Sequence, residues 1–366
     1  MTTYKELFGK YVQNLSSDPT STDAEGQIWY NTTSGTFKTA LGSYGVWAAG
    51  GNMNQARTAV GSSGTQTAAL AFGGIAPPPI AANVTSTELY NGTSWTSNPT
   101  GLNTARRALA GFGTQTNALA AGGVTTGASA ATESWTATSW TSVNSMNSAR
   151  YDLGGAGTQT AGLIFGGSFP RTAATESWNG TSWTTVNSLN TARSQMGYAG
   201  IQPAALAFGG ATATANTNAT ESWNGTSWTT GNNMNTTRSD LGGAGTQTAA
   251  LAFGGQTPVT GATELYNGST WTSSPNSLAT ARYEVKGAGT QSAALAIGGG
   301  NPTNAAPAAT EEWTQSVVVP VAGSWSSGGN MNTGRLNLGG AGIQTAALGF
   351  GGYTTKQVAS TESYNC

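Results

Sequence analysis

The side chains that could do chemistry in this sequence are few, and most of them recur at regular intervals. Only 8% of the 366 residues are charged, and His is absent. One Glu and one Arg recur in each of seven similar segments. Since these charges occupy equivalent positions, they favour a structural role over a ring of seven functional sites. The Glu series is 88, 133, 176, 221, 264, 311 and 362, and the Arg series is 57, 106, 150, 193, 238, 282 and 335.

We predict that these charges form ion pairs between adjacent structural units. In five segments the Glu precedes the Arg of the next segment by 17 or 18 residues, so the two side chains would meet where neighbouring units pack. Glu312 is an alternative to Glu311 in the sixth segment. The predicted inter-blade residues are Arg57, Glu88, Arg106, Glu133, Arg150, Glu176, Arg193, Glu221, Arg238, Glu264, Arg282, Glu311, Arg335 and Glu362.

The remaining residue types exclude several kinds of catalysis and suggest no cofactor. Without His, a Ser-His-Asp or Cys-His site cannot form, nor can a His-ligated zinc, copper or haem site. Cys366 is the single cysteine, which excludes an internal disulfide and fits a reducing compartment. Acid-base candidates are also scarce, so we predict a protein without catalytic or metal-binding residues. The aspartates are Asp18, Asp23, Asp152 and Asp240, and the Arg outside the series are Arg107 and Arg171.

Charge balance and hydropathy argue against nucleic-acid binding and membrane insertion. The chain has 14 Lys plus Arg and 15 Asp plus Glu, so a broad basic surface is not expected. Apolar runs such as residues 68–72 are far shorter than the roughly 20 residues that a membrane-spanning helix needs. The first ten residues lack the apolar stretch of a secretory signal.

A repeat of four strands organises residues 43–366. The motif Gly-Thr-Gln-Thr and its variants place Gln at 66, 115, 159, 202, 247, 291 and 344, at intervals of 43 to 53 residues. Each repeat contains a strand after the Arg (a), an Ala-Leu-Phe strand (b), a Glu-aromatic strand (c) and a Trp strand (d). Asn-Gly turns such as 179–180 lie between strands c and d, where they favour hairpins.

Seven such units predict an all-β, seven-bladed β-propeller. The chain ends on a c strand at residues 361–366, whereas Trp47 marks a d strand without a preceding c strand. We therefore predict that the N-terminal strand completes the seventh blade as its outer strand and closes the ring.

The repeat resembles that of Kelch propellers. Double glycines such as 73–74 and 166–167 follow strand b, and an aromatic residue and then a Trp come after them. This resemblance covers nearly nine tenths of the chain and implies fold far more than function. Without His or a Trp-Asp pair, the chain does not look like a WD40 propeller.

The loops between strands b and c differ most among the repeats. In an antiparallel blade they share one face with the d-a connections, and binding residues often lie on such loops. We predict that Phe169, Arg171, Tyr353 and Lys356 contribute to receptor or ligand binding on this face, with functionally irrelevant surface variation as the alternative.

Residues 1–42 lack the repeat and are predicted to form an attachment arm. An apolar stripe at helical spacing and a capping box of Thr3 with Glu6 predict an amphipathic helix that ends before Pro19. Residues 25–38 are typical of a strand-turn-strand hairpin. The arm packs either on a partner or on the propeller itself. Its predicted attachment residues are Tyr4, Leu7, Phe8, Tyr11, Val12, Leu15, Trp29 and Tyr30.

The hairpin motif Gly-x-Ile-x-Tyr-Asn-x-x-x-Gly-x-Phe-Lys, at residues 26–38, resembles short hairpins in tailed-bacteriophage fibre and other virion proteins. This resemblance implies a non-enzymatic virion protein, made in the host cytoplasm, that docks on other virion proteins through the arm and binds a host-surface glycan or protein. A cellular Kelch-like interaction scaffold or lectin is the first alternative, and a glycan-cleaving propeller enzyme is the second. The sequence does not determine the oligomeric state.

Overall fold

A computed structural model describes residues 13–15, 28–33, 36–39, 45–301, 303, 308–315, 321–322, 339–343, 346–350 and 361–365. The chain divides into two compact units, one of Ser43–Val317 and one that combines Met1–Gly42 with Val318–Cys366. Among the described residues every regular element is a strand, and no helix is present that could span a membrane. In chain order the strands are β1 (Gln13–Leu15), β2 (Ile28–Asn31), β3 (Thr36–Thr39), β4 (Val46–Ala49), β5 (Gly61–Thr65), β6 (Ala68–Phe72), β7 (Thr87–Tyr90), β8 (Trp95–Asn98), β9 (Ala110–Gly113), β10 (Ala118–Ala121), β11 (Thr132–Trp135), β12 (Trp140–Val143), β13 (Gly154–Thr158), β14 (Ala161–Phe165), β15 (Thr175–Trp178), β16 (Trp183–Val186), β17 (Gly197–Ile201), β18 (Ala204–Phe208), β19 (Thr220–Trp223), β20 (Trp228–Thr230), β21 (Gly242–Gly245), β22 (Ala250–Phe253), β23 (Thr263–Tyr266), β24 (Trp271–Ser273), β25 (Lys286–Gly289), β26 (Ala293–Ile297), β27 (Thr310–Thr314), β28 (Val321–Ala322), β29 (Gly339–Ile343), β30 (Ala346–Phe350) and β31 (Thr361–Asn365).

The Ser43–Val317 unit is a β-propeller with six blades. Each blade is an antiparallel four-stranded sheet in the order a-b-c-d, as the repeat predicts. The apolar b strands lie in the interior of each blade and are buried, which explains their continuous Ala-Leu-Phe character. The blades are β5-β6-β7-β8, β9-β10-β11-β12, β13-β14-β15-β16, β17-β18-β19-β20, β21-β22-β23-β24 and β25-β26-β27-β4.

The predicted seven blades are wrong, because the N-terminal strand closes the sixth blade. Strand β4 pairs with β27, with Trp47 opposite Trp313. Blades one and six then contact each other directly: Gln66 Nε2 donates to the Trp313 carbonyl at 2.7 Å. In addition, Trp95 Nε1 donates to Thr310 Oγ1 at 3.0 Å. Equivalent hydrogen bonds join blades one and two, where Gln115 and Trp140 are the donors, so the ring is complete without the seventh repeat.

The glycine-rich a strands pack closely together in the ring of six blades. A Cβ atom at Gly287 would collide with the carbonyl oxygen of Gly243, and one at Gly243 would collide with that of Tyr198. Ser62 Oγ of the first blade donates to the Gly287 carbonyl at 2.9 Å, which links the first and last a strands. Small residues on the a strands therefore allow six inner strands to approach closely around the axis.

The second unit contains a four-stranded sheet, β1-β2-β3-β28, and a three-stranded sheet, β29-β30-β31. The predicted hairpin is present, with Trp29 opposite Lys38 and Tyr30 opposite Phe37. The predicted N-terminal helix is contradicted where the structure describes it, because Gln13–Leu15 is a strand parallel to β2. Residues 13–15 pair with the β2 edge of the hairpin, and this pairing overrides the helical spacing of the apolar residues. The seventh repeat supplies the three-stranded sheet, so the six blades end before it.

Candidate functional site

Each of the six described Arg of the series forms a buried ion pair with the Glu of its own blade. The Arg lies in the connection that precedes strand a, and the Glu lies on strand c. The predicted pairing between adjacent blades is therefore not the observed one, because the connection folds back over its own sheet. The pairs are Arg57–Glu88 at 2.7 Å, Arg106–Glu133 at 3.0 Å, Arg150–Glu176 at 2.6 Å, Arg193–Glu221 at 3.0 Å, Arg238–Glu264 at 3.0 Å and Arg282–Glu311 at 2.7 Å.

The backbone of the Arg provides the link between blades that the side chain does not. The amide of Gly74 donates to the Arg106 carbonyl at 2.9 Å, and that of Gly299 donates to the Arg57 carbonyl at 3.3 Å across the closure. These donors are the second residues of the double glycines. Both residues of each described double glycine have positive φ, a conformation that side chains disfavour. The recurring Arg and Gly-Gly motifs thus belong to the scaffold.

Burial is the largest electrostatic effect on five of the six described Arg of the series, namely Arg57, Arg106, Arg193, Arg238 and Arg282. Desolvation lowers the pKa of Arg193 from its usual 12.5, while the neighbouring Glu221 raises it. The Glu side chain also binds a backbone amide: Glu221 Oε2 accepts a hydrogen bond from the Asn190 amide at 2.6 Å.

Glu312, the alternative to Glu311 in the sixth blade, does not take the structural role. Arg282 pairs with Glu311, as in the other blades. Glu312 instead accepts a hydrogen bond from the Tyr90 hydroxyl of the first blade. It therefore adds a contact across the closure.

A ring of six equivalent positions surrounds the propeller axis, two residues after each of the six described Arg of the series. All six have positive φ, between 49° and 57°. Their backbones are joined in series, as when the Asp152 amide donates to the Ala108 carbonyl at 2.9 Å and the Gln195 amide donates to the Asp152 carbonyl at 2.9 Å. The backbone is thus uniform around the axis while the side chains differ. The six residues, called here the axial ring, are Ala59, Ala108, Asp152, Gln195, Asp240 and Glu284.

The axial ring concentrates negative charge on one side. Burial, followed by the like charges of Asp152 and Glu284, raises the pKa of Asp240 from its usual 3.8 to about 7, against opposing effects of Lys286 and a hydrogen bond from Gln256. Burial raises the pKa of Asp152 to about 6, and Glu284 contributes to this rise. Lys286, together with Arg107 and Arg171, opposes it. Two carboxyl groups near the axis therefore titrate close to neutral pH.

We expect Asp240→Asn to stabilise the propeller above pH 7 and to flatten its pH dependence. Because the folded-state pKa of Asp240 is raised, its contribution to stability is fully present below the unfolded pKa near 4 and is lost as the pH rises through about 7. The gain at pH 8 should be on the order of 1 to 3 kcal/mol. Urea denaturation at pH 5 and pH 8 measures it. An unchanged pH slope in the variant would contradict the assignment.

A cavity of about 370 Å³ opens beside the axial ring on the face of the b-c loops. Arg107, Tyr151, Asp152, Phe169 and Glu284 supply its polar and aromatic lining. Asp152 and Glu284 also border a smaller void of about 10 Å³ at the axis. The larger cavity, called here the axial cavity, therefore joins the loop face to the charged axial ring.

Two of the four predicted loop-face residues lie near this site. Phe169 lines the cavity, is 69% exposed and has a φ of 82°. Arg171 instead ties neighbouring loops together: its Nε donates to Ser194 Oγ at 3.1 Å, and its Nη1 donates to the Thr212 carbonyl. Tyr353 and Lys356 lie outside the described residues.

The predicted attachment residues are only partly described. Leu15 lies on β1 opposite Asn31, while Trp29 and Tyr30 lie on β2. Of the predicted inter-blade residues, Glu362 lies on β31. The predicted attachment and inter-blade residues outside the described part of the chain are Tyr4, Leu7, Phe8, Tyr11, Val12 and Arg335.

Comparison with known proteins does not assign this site. No family model matches the chain, and no curated protein matches its sequence. Within the part of the chain that the structure describes, no group of three or more His, Cys, Asp or Glu side chains is placed to hold a metal ion.

Sequence reasoning missed Tyr151 and Glu284 as members of the site. A signal was present, because the two residues that follow each Arg of the series differ from blade to blade while the surrounding repeat is regular. Divergence at fixed positions indicates a surface that is free to vary on a constrained scaffold. In the six blades the residues directly after the Arg are Thr58, Arg107, Tyr151, Ser194, Ser239 and Tyr283, and the axial ring comes next.

Proposed function

We propose that this protein is a non-enzymatic structural protein of a tailed-bacteriophage virion, whose propeller presents its b-c loop face to a host-surface receptor or glycan. The observation that carries the recognition role is a contrast between two groups of side chains. The six described Arg of the series form buried ion pairs with the Glu of their own blades, whereas unrepeated charged and aromatic side chains surround the axial cavity.

The virion assignment is supported by the resemblance of residues 26–38 to phage fibre hairpins. The structure forms β2 and β3 in this segment, with Tyr30 opposite Phe37. We propose that residues 1–42 dock on other virion proteins. The positive-φ double glycines after the b strands of the six blades also support a Kelch-like character for the repeat.

Quantitative mass spectrometry of gradient-purified particles tests the virion assignment. We expect a fixed copy number relative to the major capsid and tail proteins. Absence from particles would overturn the virion role and favour a cellular Kelch-like scaffold or lectin. Release of sugar products from host polysaccharide by the purified protein would overturn the non-enzymatic assignment.

We expect Phe169→Ala to weaken binding of the purified protein to host cells at least tenfold. Phe169 presents a large apolar surface on the loop face, and exposed aromatic side chains are frequent binding anchors. Ile201→Ala is a matched control, because Ile201 is 52% exposed but lies at an a-b turn, on the opposite face. Equal losses in both variants would contradict a specific role for the loop face. Flow cytometry with labelled protein provides the measurement.

A further inference from the structure

The axial cavity has a lining that selects among ligand classes. Its charged side chains are Arg107, Asp152 and Glu284, so both signs are present within one cavity. A strongly anionic ligand would meet two carboxylates, and a strongly cationic ligand would meet the guanidinium group. An uncharged ligand with many hydroxyl groups avoids both conflicts and still satisfies donors and acceptors.

Hydrogen-bonding capacity remains available at the lining. Among the described residues, the carboxylates of Asp152 and Glu284 accept no hydrogen bond, and the Tyr151 hydroxyl makes none. Arg107 donates through Nη1 to Asn83 Oδ1 at 2.9 Å, which leaves its other nitrogens available. The site thus offers acceptors and donors at several points around one volume.

The aromatic rings and the volume of the axial cavity also suit a small ligand of this class. Tyr151 and Phe169 add apolar faces to the polar groups, and about 370 Å³ lies within the usual range for small-molecule pockets. A sugar ring combines hydroxyl groups at its edge with apolar C–H faces, so it suits such a mixed lining.

The loops around the cavity are held in place before any ligand binds. Asn83 Nδ2 donates to the carbonyls of Val124 at 2.9 Å and Thr125 at 3.1 Å, which ties the loop of blade one to that of blade two. Arg107 is fixed by the same Asn83. Preorganisation of this kind lowers the entropic cost of binding.

We propose that this cavity binds a neutral carbohydrate, with Phe169 and Tyr151 against the ring and Arg107, Asp152 and Glu284 bonded to hydroxyl groups. The proposal rests on the proposed recognition role of the loop face and names its ligand class.

A cavity-blocking variant gives the sharpest test. A Cβ atom at Gly127, which lines the cavity, would meet nothing within 4 Å, so Gly127→Trp adds a large side chain without a backbone clash. Gly231→Trp is the matched control, because the nearest atom to its Cβ would lie at 3.6 Å and Gly231 does not line the cavity. Melting curves of both variants check that the fold is retained.

The full chain is applied to an array of neutral, anionic and cationic oligosaccharides. We expect binding to neutral members, with at least a tenfold loss in Gly127→Trp and Phe169→Ala and none in Gly231→Trp. Binding confined to charged members, binding that Gly127→Trp leaves unchanged, or no binding at all would overturn the proposal. Host-cell binding that requires Phe169 despite a negative array would retain the recognition role and reject only the carbohydrate. Absence of both oligosaccharide binding and host-cell binding would reject the carbohydrate ligand and the recognition role together.

Discussion

Replacement of Arg193 by Ala is expected to lower the free energy of unfolding by about 3 to 5 kcal/mol, because it leaves a buried carboxylate without its partner. Arg193 and Glu221 are both almost fully buried, and their side chains lie 3.0 Å apart. Arg193 also donates to the carbonyls of Ala219 at 2.7 Å and Gly209 at 3.3 Å, which would lose these bonds. Thermal and urea denaturation measure the effect.

A second variant separates the charge from the packing. Glu221→Gln keeps an acceptor for the Asn190 amide but removes the charge. We therefore expect Arg193→Ala with Glu221→Gln to be more stable than Arg193→Ala alone. Arg107→Ala serves as the control, since Arg107 is half-buried and outside the repeated series. Equal stability of Arg193→Ala and wild type would reject a stabilising role for the pair.

The ion pairs show what the sequence could predict. Recurrence of Glu and Arg indicated a scaffold role, because equivalent positions in a repeat have equivalent surroundings. The choice of partner was wrong, since a short separation such as Glu88 to Arg106 does not reveal how the d-a connection folds. Arg57 reaches Glu88 across 31 residues because both lie on the same blade.

The blade composition was predictable but the number of blades was not. Strand order within a blade follows from the recurring strand and turn motifs, whose physical basis is local. Closure depends on which c strand accepts β4, and both β27 and β31 carry the Thr-Glu-x-aromatic pattern. Counting repeats therefore could not distinguish closure at the sixth blade from closure at the seventh.

The axial site was only partly predictable for a related reason. Phe169 was recognisable from loop variation, and Arg107 and Asp152 stood outside the repeated charges. Their convergence depends on six backbone positions meeting at the axis, which is a property of the closed ring. Variation after the Arg of each blade could have marked Glu284 as a candidate, but only the closed ring places it in the same cavity as Asp152.

Removal of β4 is expected to have the largest effect of all, because this strand alone completes the sixth blade. Residues 43–317 should fold and melt cooperatively, whereas residues 50–317 should fail to form a closed propeller. The shorter chain would expose the edge of β27 and leave the Trp313 side of the blade uncovered. Circular dichroism and size-exclusion chromatography distinguish the two chains.

The longer of these two chains also tests the number of blades. Because residues 43–317 lack the seventh repeat entirely, cooperative melting of this chain would show that six blades and β4 suffice. If residues 43–317 failed to fold while the full chain folded, closure at six blades would be insufficient and the seventh repeat would have to take part.

Point variants in the full chain locate the effect of β4 at one side chain. Trp47 Nε1 donates to Thr263 Oγ1 at 2.9 Å, and the Trp47 ring lies 5.0 Å from Phe253 and 5.4 Å from Trp313. Trp47→Ala should cost about 3 to 5 kcal/mol, as large-to-small changes at packed aromatics do. Val46→Ala on the same strand should cost far less, because Val46 is 53% exposed. Similar losses in the two variants, measured by urea denaturation, would mean that β4 acts through its backbone pairing with β27 and not through the Trp47 ring.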